Sequence, residues 1–250
     1  MDAIDRKYAL TQLSAVDGRY AQATAPLALR FSEAALIRSR VNVEAWYLLA
    51  LCGEEAGLGI RELLEFERQS LHSLGSRMKL NDIQEIKDIE TKGTERHKRT
   101  NHDVKAVELW MRDHLNGTSI NDLVEWIHFA LTSEDVNNIA YSLMLRDALE
   151  DVILPQLRRL HAQLEGFAEK YASLPMLART HGQPASPTTL GKEFKVFAER
   201  LDRQIEHLQG QEFLAKLNGA SGNFNAHIAA FPDKTLEWES LARAFIESMN

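Results

Sequence analysis

Residues 133–171 read SEDVNNIAYSLMLRDALEDVILPQLRRLHAQLEGFAEKY, and their spacing decides the fold class. Ile153, Leu157, Leu160, Leu164, Phe167 and Tyr171 recur in steps of four and three, which places them on one helix face. Val136, Ile139, Ala140 and Leu143 carry a similar stripe upstream, and Pro155 is expected to kink the run rather than end it. A second long helix is expected from about 188 to 214, where Leu190, Phe194, Phe197, Leu201, Ile205 and Leu208 keep the same rhythm. Helices of this length cannot bury their stripes alone and must pack in a bundle. No alternating strand pattern competes, so the expected fold is mainly α.

Outward from this stretch, helices are expected over 31–51, 61–74, 81–90 and 103–115. Gly53 and Gly57 mark the end of the first, and Asn116-Gly117 stops the last. A polar, basic loop covers 92–99, and the stretch through about Leu29 shows no sustained periodicity. The expected organisation is a small N-terminal helical domain, 1–120, followed by the first part of a long-helix bundle, 121–250. Leu241, Phe245 and Met249 form a helix face still in progress at Asn250, so the bundle is expected to be incomplete at its C-terminal end.

The chain has 250 residues, 44% of them hydrophobic and 26% charged, the balance of a soluble globular protein. A net charge of -7 argues against a general nucleic-acid binder, which must neutralise phosphates broadly. Cys52 is the single cysteine, which excludes an internal disulfide and a cysteine metal cluster and fits a reducing cytoplasm. The N-terminal MDAIDRKYAL lacks the basic-then-apolar order of a secretion signal, and no apolar run approaches a membrane span.

Candidate chemistry sits where helices begin or are interrupted. Residues 175–187, PMLARTHGQPASP, contain three prolines and a glycine and are expected to form a rigid, irregular connection carrying His181. Histidine titrates near working pH, so such a setting suits a proton donor. Thr132-Ser133-Glu134-Asp135 opens a long helix and is first of all a capping signal, with Ser133 as the expected cap. The same helix start can bind a ligand carboxylate or phosphate. Thr100-Asn101-His102-Asp103 opens another helix, with Asn101 or Asp103 as the expected cap. Asn218-Gly219-Ala220-Ser221-Gly222-Asn223 reads as a turn. His128, His161 and His207 fall in stretches expected to be helical and are read as structural or solvated.

In order along the chain stand Asp17-Gly18-Arg19-Tyr20, TNHDVKAVE from Thr100, TSEDVNN from Thr132, RTHGQPASP from Arg179, and NGASGNFNAHIAAFP from Asn218. This series resembles the adenylosuccinate lyases, most closely their bacterial branch, within the wider fumarase, aspartase and argininosuccinate lyase superfamily. The resemblance implies the superfamily's long-helix bundle and an anti β-elimination that releases fumarate from adenylosuccinate to give AMP in purine biosynthesis. It also implies cleavage of succinylaminoimidazole carboxamide ribotide, without metal or organic cofactor. By the same resemblance His181 is the general acid. Asn101, His102 and Asp103 hold substrate and support the acid, and Thr132 and Ser133 bind a succinyl carboxylate. Arg19 and Tyr20 contact the nucleotide phosphate. The family forms cytoplasmic homotetramers with sites built from several subunits.

Two features depart from the family pattern. The approach ETKGTERHKRTNHD is longer and more basic, and is read as a solvated loop. The signature loop of the form GSS-x-MP-x-K-x-NP, which carries the general-base serine in the family, does not occur in these residues. The segment alone is therefore expected to be inactive or nearly so. A non-catalytic helical or nucleotide-binding relative, or a sister lyase acting on argininosuccinate, stays open as an alternative.

Overall fold

The computed structural model describes residues 13–249; the N-terminal segment MDAIDRKYAL discussed above and Asn250 lie outside them. Helix α1 spans Ala21–Phe31 and α2 spans Glu33–Leu51. Next come α3 at Glu65–His72, α4 at Leu74–Arg77, α5 at Leu80–Thr91 and α6 at Asp103–Leu115. A 3₁₀ turn, Asn121–Trp126, leads to α7 at Ser133–Ala148 and, beyond a π-turn at Leu149–Ile153, to α8 at Leu154–Lys170. Strands β1, Pro175–Thr180, and β2, Gln183–Thr189, form a hairpin. Helices α9 at Leu190–Gln209, α10 at Asn225–Ala230 and α11 at Thr235–Glu247 follow.

These elements form two compact units, one running up to Leu145 and resuming at Leu214, the other Arg146–Phe213. In the first, α2 is buried on two sides. Ile37, Val41, Ala45 and Leu48 join a core with α3, α5 and α6, while Val43, Tyr47 and Leu51 join a second core with α7 and α11. A helix apolar on both flanks shows no single stripe, as its sequence suggests. Ser32 caps it, its hydroxyl accepting the Ala35 N–H at 3.2 Å. Leu115, Ile120 and Leu123 share one apolar cluster, so packing is continuous across residue 120.

The second unit is a helix pair with a hairpin at one end. Leu154 with Ile205, and Phe167 with Phe194, run in opposite chain order, so α8 and α9 are antiparallel. Buried Gly191 brings α9 against α8; a Cβ there would lie 2.4 Å from the Ala168 carbonyl oxygen and 2.6 Å from the Ala172 backbone. The expected kink point at Pro155 becomes the π-turn, after which the helix resumes with the proline in its first turn.

Two expectations are corrected. Residues 175–187 are not irregular but mostly paired, with Pro175 opposite Thr189 and Thr180 opposite Gln183. Pro184 and Pro187 are tolerated because both strands of a two-stranded sheet are edges. The stretch before Leu29 contains α1, which has no buried residue and hence no apolar stripe to read.

Candidate functional site

The sequence around position 102 folds into a cap. The Thr100 and Asn101 N–H groups donate to the carbonyls of Ile89 and Glu90, tying the start of α6 to the end of α5. Asn101 takes a left-handed backbone, φ 51°, and His102 is extended. The His102 Nδ1 accepts the Lys105 N–H at 3.3 Å, so the histidine itself caps α6, in place of the expected Asn101 or Asp103. A ring that accepts at Nδ1 carries its proton on Nε2 when neutral. That nitrogen lies 3.2 Å from the Ser133 hydroxyl.

Ser133 is free to meet His102 because it is not the cap of α7. Asp135, in the first turn, instead reaches back to the residue before the helix: its Oδ2 accepts the Thr132 N–H at 2.9 Å. The fully buried Asp135 carboxylate also accepts the Gly219 and Asn218 N–H groups, each at 3.1 Å, and the Lys216 Nζ at 2.7 Å. Asn138 adds a reciprocal pair to the Lys216 backbone. The TSEDVNN and NGASGN motifs are thus one structure, a helix start bonded to a loop about eighty residues later in the chain.

Asp103 is partly exposed but reaches inward with one oxygen. Its Oδ2 accepts from the buried Arg40 guanidinium at 2.5 Å, and Arg40 Nε donates to Asn137 Oδ1 at 2.8 Å. Burial works against the Asp103 carboxylate, but the Val104 N–H and the charge of Arg40 outweigh it and hold its pKa below the usual range. Arg40 opens a polar row on α2, continued at Glu44 and Tyr47. The Glu44 carboxylate lies 2.6 Å from His128 Nδ1, and the Tyr47 hydroxyl lies 3.2 Å from His227 Nε2. His128 is not helical, as expected above, but sits in a turn with φ 61°.

The structure therefore joins His102, Asp103, Thr132 and Ser133, with Asn101 beside them. Asp135 and Asn137 fall inside the TSEDVNN motif but were given no role, and Arg40 and Lys216 carry no local signal because their partners are distant in the chain. Arg19 and Tyr20 stand at the start of α1, both exposed, with the guanidinium 5.5 Å over the ring. His181 belongs to the second unit, exposed at the hairpin tip. It and Gly182 have φ of 50° and 76°, the two positive values a type I′ turn requires. The basic loop 92–99 is partly anchored, His97 Nε2 lying 2.9 Å from Asp113. A groove of about 810 Å³ between α2 and α11, lined by Gly53, Glu62, Arg68, Trp238 and Phe245, includes none of these site residues. No group of three metal-ligating side chains occurs among the described residues.

Chemically, this is an imidazole hydrogen-bonded to a serine at a helix N-terminus, a setting that favours an anionic ligand and proton handling. Residues 18–249 match the family model described as Lyase. The chain belongs to this lyase family. It is 41% identical to the adenylosuccinate lyase of Haemophilus influenzae over 96% of its own length, and 40% identical to that of Escherichia coli over the same share. The lyase chain spans about half the length of the curated relatives it matches, 51% for each of these two. Among solved structures it is similar to a fumarate lyase from Mesorhizobium sp. BNC1, with a TM-score of 0.68 at 20% identity, covering 90% of this chain and 47% of that one. The 3-carboxy-cis,cis-muconate lactonizing enzyme of Pseudomonas putida gives 0.67 at 24% identity, with the same coverage. At these identities the likeness is one of fold, and it supports the mainly helical class expected from the sequence. No helix among the described residues is long and apolar enough to cross a membrane.

Proposed function

We propose that the protein is an adenylosuccinate lyase and that this chain carries its proton donor and its carboxylate-binding helix start. The observation that carries the reading is the His102–Ser133 hydrogen bond at the start of α7, in a chain 40% identical to a named adenylosuccinate lyase. In the proposed reaction a base removes the proton from the succinyl carbon beside a carboxylate. The C–N bond then breaks, its electron pair going to nitrogen, and His181 protonates that nitrogen as fumarate leaves. Thr132 and Ser133 hold a succinyl carboxylate at the α7 N-terminus, where helix N–H groups and hydroxyls stabilise negative charge. His102, with Asn101 and Asp103 beside it, orients substrate. Arg19 and Tyr20 take the nucleotide phosphate, for which a forked guanidinium is suited.

The substrates are adenylosuccinate and succinylaminoimidazole carboxamide ribotide, the products include AMP and fumarate, and the enzyme works in the cytoplasm without a cofactor. The exposure of His181 supports a site assembled from several copies, a homotetramer, in which the hairpin tip reaches a neighbouring active centre. The test is absorbance during incubation with adenylosuccinate, using the chain alone and mixed with a full-length lyase whose own general acid has been replaced. Turnover in the mixture and not in either component supports the reading. Silence in a demonstrably mixed assembly overturns the role given to His181.

A further inference from the structure

Arg40 lies on α2, 63 residues before one of its partners and 97 before the other, and 5% of it is exposed. Its two arms reach different helices. One holds Asp103, the residue after His102, at the start of α6. The other holds Asn137, which follows Ser133 by one turn and shares its face of α7. The His102–Ser133 hydrogen bond spans the same two helix starts. A rigid planar group buried beneath them fixes their separation, and that separation sets whether an imidazole and a hydroxyl meet.

We propose that Arg40 is a positioning residue for the His102–Ser133 pair, a clamp that keeps the imidazole in one tautomer and aims its Nε2 at the serine. The inference deepens the lyase reading and rests on it only for its catalytic consequence; the geometric claim stands without it. Lysine cannot replace this residue, because one ammonium at the end of a flexible stem does not reproduce two fixed donor directions. Asn137 is the selective probe of the clamp, since replacing it with leucine keeps the Arg40–Asp103 ion pair and cuts the other arm.

The experiment is ¹⁵N NMR of histidine-labelled chain as wild type, Arg40→Lys and Asn137→Leu, with His102 assigned by its loss in His102→Gln and folding checked by circular dichroism. Wild type should show one ring nitrogen bare and one protonated, the pattern of a single tautomer. Both variants should shift His102 toward the averaged pattern of a free imidazole while the resonances of His128 and His227 stay in place. In the mixed assay, Asn137→Leu should lower kcat by on the order of 10- to 100-fold with KM changed far less. An unchanged His102 pattern in folded Asn137→Leu overturns the proposal. Should Arg40→Lys fail to fold, Asn137→Leu alone decides. An altered tautomer pattern alongside a wild-type mixture without turnover upholds the clamp and overturns the lyase reading instead.

Discussion

The Glu44 carboxylate lies 2.6 Å from the Nδ1 of His128, with Glu44 fully buried and its second oxygen unbonded among the described residues. Burial disfavours a charged ring at His128, but the hydrogen bond and charge of Glu44 outweigh it, so the histidine pKa is raised. The folded state therefore holds this proton more tightly than the unfolded chain does. The stabilisation is complete below about pH 6.5, the unfolded value, and is lost as pH rises through the folded value above it. His227 contributes the opposite slope, because burial lowers its pKa against a weaker pull from Asp135.

Urea unfolding of wild type and His128→Gln should therefore diverge most under mildly acidic conditions and converge as pH rises through the raised folded-state value. Both proteins retain His227, so its effect cancels in the difference. Glu44→Ala should cost about 3 kcal/mol at pH 6, since it removes one partner of a buried ion pair. A stability difference that grows with rising pH would contradict the assignment.

Asp135 is the bond between the α7 start and the loop at 216–219. Asp135→Asn keeps the shape but loses the charge facing Lys216 and turns one acceptor into a donor aimed at backbone N–H groups. The expected cost is about 3 kcal/mol, with the Gly219 amide losing hydrogen-exchange protection before the rest of the unit. Equal protection at Gly219 in the variant would show that the loop is held by other means.

Gly191 tests the helix pair. Its added Cβ would meet backbone rather than a movable side chain, so Gly191→Ala must push α8 and α9 apart. A loss of about 1–3 kcal/mol is expected in thermal unfolding. Gly166, on the outer side of α8 with nothing within 4 Å of its Cβ position, is the control, and Gly166→Ala should be neutral or mildly stabilising.

His181→Asn separates backbone from chemistry. Asparagine tolerates the left-handed turn, so the hairpin should keep its cross-strand contacts in NMR spectra. Turnover in the mixed assembly should fall at least about 100-fold, the usual weight of a general acid. Undiminished turnover would remove His181 from the mechanism.

The long helices were legible because apolar side chains at three- and four-residue spacing survive any tertiary arrangement. Asp103–Leu115 and its Asn-Gly stop were read to the residue for the same reason, helped by a sharp breaker. The hairpin was not legible. Its strands expose most of both faces, so no alternation develops, and its prolines argue against a sheet unless both strands are edges. At the site, His102 and Ser133 were visible as motif members, but their bonding was not. Local rules made Ser133 a cap, whereas it is the first residue of the helix and its hydroxyl meets His102, while Asp135 two residues on reaches back to the Thr132 N–H. Arg40 and Glu44 gave no signal, since a charged residue on a helix is usually a solvated one, and their partners lie 63 to 97 residues away.

The turn at His181-Gly182 filters what can occupy position 181 before any chemistry is asked of it. Glycine, asparagine, aspartate and histidine accept that backbone far more readily than other residues do. Within this set histidine alone titrates near neutrality. Mutational drift to asparagine or aspartate would thus be structurally silent: the hairpin, its register and the helices it joins would persist while the proposed proton donor vanished. Descendants of such a chain could pass as intact by shape, and a single side chain would distinguish a working copy from a scaffold.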